Sequence, residues 1–435
     1  MKQLSKRQID FLVLFCVFIL TSLSVLTLYT TQSDLQVPFF SFESDVFKQL
    51  VFFAISIVIA FVLANIPFMI ARTPALLLPA LAISLLLLGG LFVFGGLVNA
   101  TRRWYDLGVF LFQPSEFIKY VAIIWAAFWL NHKERNSIRQ MALAAVGPIV
   151  LALLIFFQPD AGTAIMMVFT FGVVLIVWLS QFELWRKVFV YLGIFAVISV
   201  IAVFTHWLVL LFTVVPLFFI AKNDRTAAIV VGGILLAIGL LGGTSVLLWN
   251  SGVILDYQKE RILSFVGETE ESFQVKQAKI AIGSGGVWGK GIGQGTQSRL
   301  RFLPEYKTDF IFSAFVEERG FVGGFLVIIL YVVLLIKMAI TAIKTKDDFG
   351  RLIIVGLIAK LWIEMFINIG MNLGLVPTKG VALPFLSYGG SSLISNYILV
   401  GIYLSIYRFD ERNDKIMSDT RSFSNPLVEE ELKVT

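Results

Sequence analysis

Apolar residues fall in long blocks separated by short polar or charged stretches. Runs of about 17–25 mostly apolar residues, the length that crosses a bilayer as a helix, recur at 9–30, 46–65, 73–96, 114–131, 140–157, 161–180, 187–204, 206–221, 226–250, 320–343, 351–373 and 391–407. The pattern predicts an all-α polytopic integral membrane protein of about twelve transmembrane helices. The eighth run is short enough to be re-entrant. One membrane domain covers 1–407, and the mixed-charge, Ser/Asn/Pro-containing stretch 408–435 reads as a disordered tail.

The connecting segments orient these spans. Basic residues mark every second connection: Arg72; Lys133, Arg135 and Arg139; Arg186 and Lys187; Lys222 and Arg225; Lys344, Lys346 and Arg351; Arg408 and Arg412. The positive-inside rule places these connections, and both termini, in the cytoplasm. The first run follows Lys2, Lys6 and Arg7, is too long for a signal-peptide core and has no small-residue cleavage site, so it reads as a first span. The alternate connections 31–45 and 158–160 lack Lys and Arg. Two outer segments are nevertheless basic: 97–119, with Arg102, Arg103 and Lys119, and the long stretch 251–319, with Lys259, Arg261, Lys276, Lys279, Lys290, Arg299, Arg301 and Lys307. Outer basic residues invite an anionic ligand, although a loop balancing its own acids would look similar.

Composition agrees. The chain is 58% hydrophobic and 15% charged, with a mean hydropathy of +0.86. A soluble domain cannot hide that much apolar surface. The single Cys16 excludes a disulfide scaffold, and two distant histidines, His132 and His206, argue against a His-based metal site.

Four outer segments carry candidate chemistry. In the first, Arg102 to Gly108 leads to Gln113-Pro114-Ser115-Glu116, with Pro114 and Glu116 in the first turn of a helix. Lys119 follows three residues later on the same face. At that depth an ammonium must be paired or line a wet cavity, unless it snorkels outward with Glu116. The second, Gln158-Pro159-Asp160-Ala161-Gly162-Thr163, is a good turn sequence. The third, Ala281 to Arg319, is glycine-rich but fails the Walker pattern, because Ser284 replaces the upstream glycine and Gly291 follows Lys290. Gly283 to Gly295 reads as a tight loop, and Thr308 as an N-cap with Asp309 in the first helical turn. Asp309 is then either a base at the mouth of a cavity or a capping residue. The fourth, Gly374 to Ser392, breaks the helix at the outer face. There Ser387, Tyr388, Gly389, Gly390 and Ser391 form a candidate anion nest. Lys360 and Glu364, at i and i+4 inside an apolar run, read as a structural pair.

The ordered set RRWYDLG, FQPSEFIK, QPDAGT, AIGSGG, LPEYKTDFIF and PTKGVALPFLSYGGSS, spanning 97–396, resembles the RodA/FtsW family of peptidoglycan glycosyltransferases. GKGIGQGTQSRLRFLPE and Asp256-Tyr257-Gln258 are closer to RodA, the elongation enzyme, whereas Pro377-Thr378-Lys379-Gly380 is closer to FtsW, the division enzyme. The family usually has ten spans, so the excess falls between about 187 and 250.

The resemblance implies a bacterial inner-membrane enzyme that polymerises lipid II, an undecaprenyl-pyrophosphate disaccharide-pentapeptide, by inverting transfer. It assigns Asp309 as base and Lys119 as its paired catalytic lysine. It makes Arg102, Arg103 and the serine-glycine nest candidates for the pyrophosphate and headgroup. Trp104, Gln113, Ser115, Glu116, Gln294, Thr296, Glu305 and Thr308 complete the substrate-binding candidates. No metal ligand is assigned, although Mg or Mn could assist the leaving pyrophosphate. The implied partners are a class B penicillin-binding protein and membrane lipids, with no nucleic acid. The competing readings are a lipid II flippase, which should carry polar residues through the depth of the bilayer, and a scaffold, which needs neither Lys119 nor Asp309.

Overall fold

The structure is a computed structural model that describes residues 10–32, 40–41, 43–98, 101–108, 110–131, 138–181 and 272–409. The chain divides into two compact units, 1–174 with 271–435, and 175–270.

The helices of the first unit are α1 (Phe11–Gln32), α2 (Asp45–Asn65), α3 (Pro74–Phe94), α4 (Pro114–Leu130), α5 (Ile138–Phe157), α6 (Ala161–Leu179), α7 (Phe273–Gly285), α8 (Ile311–Lys344), α9 (Asp348–Asn372) and α10 (Gly390–Phe409). Among the described residues, eight are long and apolar enough to cross a membrane: all but α4 and α7. At 17 residues α4 stands at the lower end of the spanning range. Nine predicted runs therefore fall on helices. The runs 187–204, 206–221 and 226–250 lie outside the described residues, so the number twelve stays an expectation.

The helices differ in what surrounds them. In the apolar window of α3, 22% of residues are buried, against 67% in α9 and in α10. Leu78, Leu86 and Val93 of α3 are exposed, as lipid-facing side chains are. The central helices α9 and α10 are the least hydropathic of the eight, because they contact protein and can carry polar groups. Leu88, Leu91, Ile118, Ala122, Leu151, Ile155, Ala164 and Met167 join α3 to α6 in one apolar cluster.

At the outer segment 97–119, β1 (Gly96–Val98), β2 (Thr101–Asp106) and β3 (Leu111–Phe112) form an antiparallel sheet in that order. Two local expectations change. The glycine-rich stretch begins as the last turn of α7 rather than as a loop at Gly283. The helix that carries the 320–343 run starts at Ile311 rather than 320. It runs through a break at Gly320, whose φ of 68° suits glycine.

Candidate functional site

Helix α9 carries Lys360, Glu364, Asn368 and Asn372, each four residues from the last. That spacing stacks them on one face over about 18 Å of helix. All four are buried, so each must find a partner inside the protein. Sequence reading singled out only the lower pair. The two asparagines were legible only as a period of four within an apolar span.

The upper two rungs hold Asp309. The side-chain NH2 of Asn368 donates to the Asp309 carbonyl at 2.9 Å and to Val381 O at 2.7 Å. The Asn372 amide reaches the same Asp309 carbonyl at 3.1 Å, and its oxygen accepts the Ser313 hydroxyl at 2.5 Å. The backbone that presents Asp309 is thus fastened to α9 from two sides. A Cβ added to Gly380 would stand 3.3 Å from Asp309 Oδ2, so the Pro377–Gly380 segment passes directly beside the carboxylate. Asp309 precedes the helix rather than lying in its first turn. Phe310 is the N-cap residue, and the Thr308 hydroxyl, expected to cap, instead donates to Glu305 Oε2 at 3.0 Å.

The lower two rungs hold Lys119. Its ammonium is buried and sits 2.8 Å from Glu116 Oε1 and 2.7 Å from Glu364 Oε1. These two carboxylates are ion-pair partners of Lys119. The lysine points inward to α9 rather than snorkelling. Lys360 takes the other oxygen of Glu364 at 2.8 Å and donates to Asn396 Oδ1 of α10 at 2.6 Å. The expected Lys360–Glu364 pair therefore forms, as part of a larger cluster. Two ammoniums and two carboxylates leave no net charge in the interior, the condition under which buried ions persist.

The expected anion nest is otherwise employed. The N–H of Tyr388 donates to Lys307 O at 2.9 Å, and that of Gly389 to Gln49 Oε1 at 3.4 Å. The Ser387 hydroxyl donates to Thr308 O at 2.6 Å. Ser391 donates to Leu111 O and accepts from Gln113 N, at 2.9 and 3.1 Å. A Cβ on Gly390 would strike the Phe52 ring. The segment joins α10 to β3, α4 and the Asp309 loop, because chain reversals in a crowded interior must satisfy their own polar groups. Beside it, Lys307 pairs with Asp45. Burial, with Asp45 adding to it, pushes the Tyr388 phenol far up, so it stays protonated.

Arg103 donates to Pro159 O and pairs with Asp160 at 3.6 Å. Asp160 also accepts the Thr163 hydroxyl at 2.9 Å at the start of α6, in line with the turn reading. Arg102 is exposed and donates to Phe92 O at 2.7 Å. Trp104 pairs with Gly96 in the sheet. Ser115 is buried in the first turn of α4. Gln294, Thr296 and Glu305 are exposed.

Thr296 belongs to a second polar centre, around Glu317, which sequence reading missed. The Glu317 side chain is fully buried. It accepts from Lys290 Nζ at 2.7 Å, from the N–H groups of Thr296, Gln297 and Ser298 at 2.8, 3.0 and 3.4 Å, and from the Thr296 hydroxyl at 2.9 Å. Gly289 packs so closely on Glu318 O that a side chain there would clash. Among the described residues no three His, Cys, Asp or Glu side chains converge as a metal-ligand group.

A family model described as Cell cycle protein, named for FtsW, RodA and SpoVE, matches residues 7–208 and 202–412. The chain belongs to this family. It is 33% identical over 371 residues to Stage V sporulation protein E of Bacillus subtilis (strain 168), covering 83% of this chain and 86% of that one. It is also 33% identical over 359 residues to peptidoglycan glycosyltransferase MrdB of Escherichia coli (strain K12), covering 81% and 83%. With peptidoglycan glycosyltransferase RodA of Treponema pallidum (strain Nichols) the identity is 31% over 439 residues, covering 91% and 97%. Among solved structures, a chain from "Structural coordination of polymerization and crosslinking by a peptidoglycan synthase complex" superposes with a TM-score of 0.69 at 25% identity, covering 94% of this chain and 99% of that one. Thermus thermophilus RodA superposes with a TM-score of 0.60 at 24% identity, covering 92% and 97%, and supports the fold. The motif segments lie on β2, the start of α4, the connection from α5 into α6, the end of α7, the approach to α8, and the connection from α9 into α10.

Proposed function

We propose that Asp309 is the general base with which this membrane-embedded peptidoglycan glycosyltransferase polymerises lipid II. The 4-hydroxyl of an acceptor GlcNAc attacks the anomeric carbon of a donor MurNAc as Asp309 takes its proton. The α-linked pyrophosphate leaves from the opposite face and a β-1,4 bond forms, so the step inverts without a covalent intermediate. Lys119 is the lysine of the site, and Arg102, whose side chain is exposed, is a candidate to meet the pyrophosphate or headgroup. The carrying observation is the double clamp on the Asp309 carbonyl by Asn368 and Asn372. It holds the backbone of one carboxylate in place at the end of a helix, as a base needs. A class B penicillin-binding protein is the proposed partner, and the RodA-like loop favours a role in elongation. The family favours the bacterial inner membrane, and the basic connections favour both termini, including tail 408–435, in the cytoplasm.

The test is Asp309→Asn, purified with its partner and given lipid II, with glycan products resolved on a gel. Phe310 holds the cap position, so the helix start survives the change. Loss of the base should lower the polymerisation rate by about 10²–10⁴-fold. Near-normal glycan synthesis would remove Asp309 from the chemistry. One observation favours the flippase reading: the α9 ladder carries ionised groups to the middle of a span, rather than only to its outer mouth. Those groups are paired with one another, as a rigid scaffold requires. If Asp309→Asn makes no glycan yet wild-type protein alone moves lipid II between leaflets of proteoliposomes, both activities reside here. If both proteins only move it, transport replaces synthesis.

A further inference from the structure

The interior charge cluster invites a question that the proposed chemistry leaves open: what holds Lys119 still. Glu116 lies about one turn before it on the same helix and moves with it. A partner on its own helix cannot fix a side chain relative to the rest of the site. Glu364 can, because it belongs to α9, the helix whose next turn grips Asp309 through Asn368. Glu364 divides its two oxygens between Lys119, at 2.7 Å, and Lys360, at 2.8 Å. Lys360 is tied in turn to Asn396 of α10 and lies over the Tyr120 ring of α4 at 5.7 Å. Tyr120 donates to Ser395 O at 2.6 Å, which links α4 to α10 as well. On the remaining side a small void beside Lys119 is lined by Met167, Thr170 and Val174 of α6, which bring no charge.

We infer that Glu364 is a positioning residue for catalysis, holding the Lys119 ammonium in a fixed relation to Asp309 through the shared helix α9, with Lys360 holding Glu364. This rests on the reading of Lys119 and Asp309 as the reactive pair. It differs from the structural alternative, in which Glu364 only neutralises Lys360. If charge balance were the whole role, removing both members together would cost nothing, as replacing a buried ion pair often does. If Glu364 positions Lys119, the same double change leaves a folded protein with a loosely held lysine. A displacement of about 1 Å at such a site can cost about 10² in rate.

The experiment compares Glu364→Asp, Lys360→Met and the double variant Lys360→Met/Glu364→Gln as full-length protein with its partner. Initial glycan synthesis is measured across lipid II concentrations, beside thermal unfolding in detergent. Glu364→Asp keeps the charge but withdraws the carboxylate by one methylene. It should unfold near the wild-type temperature and lose roughly 10–100-fold in kcat with KM changed less than about threefold. The double variant should recover stability without recovering kcat, and Lys360→Met alone, which unties one oxygen of Glu364, should lower kcat by less than Glu364→Asp does. Wild-type kcat in Glu364→Asp or in the double variant would overturn the inference. Lys119→Met separates its failure from that of the underlying reading. Normal synthesis by Lys119→Met removes the reactive pair itself. An inactive Lys119→Met beside a fully active Glu364→Asp removes only the role of Glu364.

Discussion

Glu317 and Glu364 are both acids buried on long apolar helices, yet they are satisfied in different ways. Glu317 is held mainly by backbone: three consecutive N–H groups of the turn Thr296–Arg299 donate to it, with one lysine and one hydroxyl added. Glu364 is held by the ammoniums of two lysines. Backbone donors cannot leave without unfolding their turn, so Glu317 organises the shape of the glycine loop. Side-chain cations keep their own rotamers, so the Glu364 cluster can set where a charge stands. The same residue type is held by backbone in one place and by side-chain charge in the other.

The difference can be broken at Glu317 first. Glu317→Ala strands three N–H groups and the Lys290 ammonium. Removing one partner of a buried ion pair typically costs about 3–5 kcal/mol. We expect little folded protein to survive extraction, with a lower thermal midpoint and protease cutting within 286–300. A stable Glu317→Ala protein with an intact loop would end the architectural reading. Lys290→Met is milder, because the backbone donors remain and the lysine side chain is 26% exposed. The loss of one charge-assisted bond should cost about 1.5–3 kcal/mol at most, seen as a lower denaturation midpoint with kcat retained. The smallest effect is expected from Thr296→Val, about 0.5–1.5 kcal/mol for one hydroxyl bond. Its KM for lipid II should stay at the wild-type value if the Thr296 hydroxyl serves Glu317. A several-fold rise in KM with unchanged stability would return Thr296 to the substrate-binding set.

Much of the fold was legible as pattern. Nine apolar runs coincide with helices because a spanning helix must be long and apolar whatever its neighbours. Helix starts were less legible. Thr308 has the chemistry of an N-cap, but the chain continues through Asp309 and Phe310 before helical geometry begins. The Asn amides of α9 bind the Asp309 carbonyl there and hold the turn open. The Ser387–Ser391 segment matched an anion nest in composition, yet its donors face Lys307, Gln49 and Leu111, far apart in sequence. Small polar residues at a reversal signal that backbone must be satisfied, and do not reveal by whom.

The sequence by itself determined that this is a polytopic membrane protein. Its ordered motifs pointed to the family, and they singled out Asp309 and Lys119 as the side chains to test. Those conclusions follow from local length, hydropathy and residue order. Only the tertiary structure decided what Lys119 touches, because buried ammoniums choose among all carboxylates that packing brings within reach. Glu116 was visible three residues away, whereas Glu364 lies 245 residues on and meets Lys119 only because α9 packs against α4. The polar face of α9, which links Lys119 to Asp309, exists only as helices in contact.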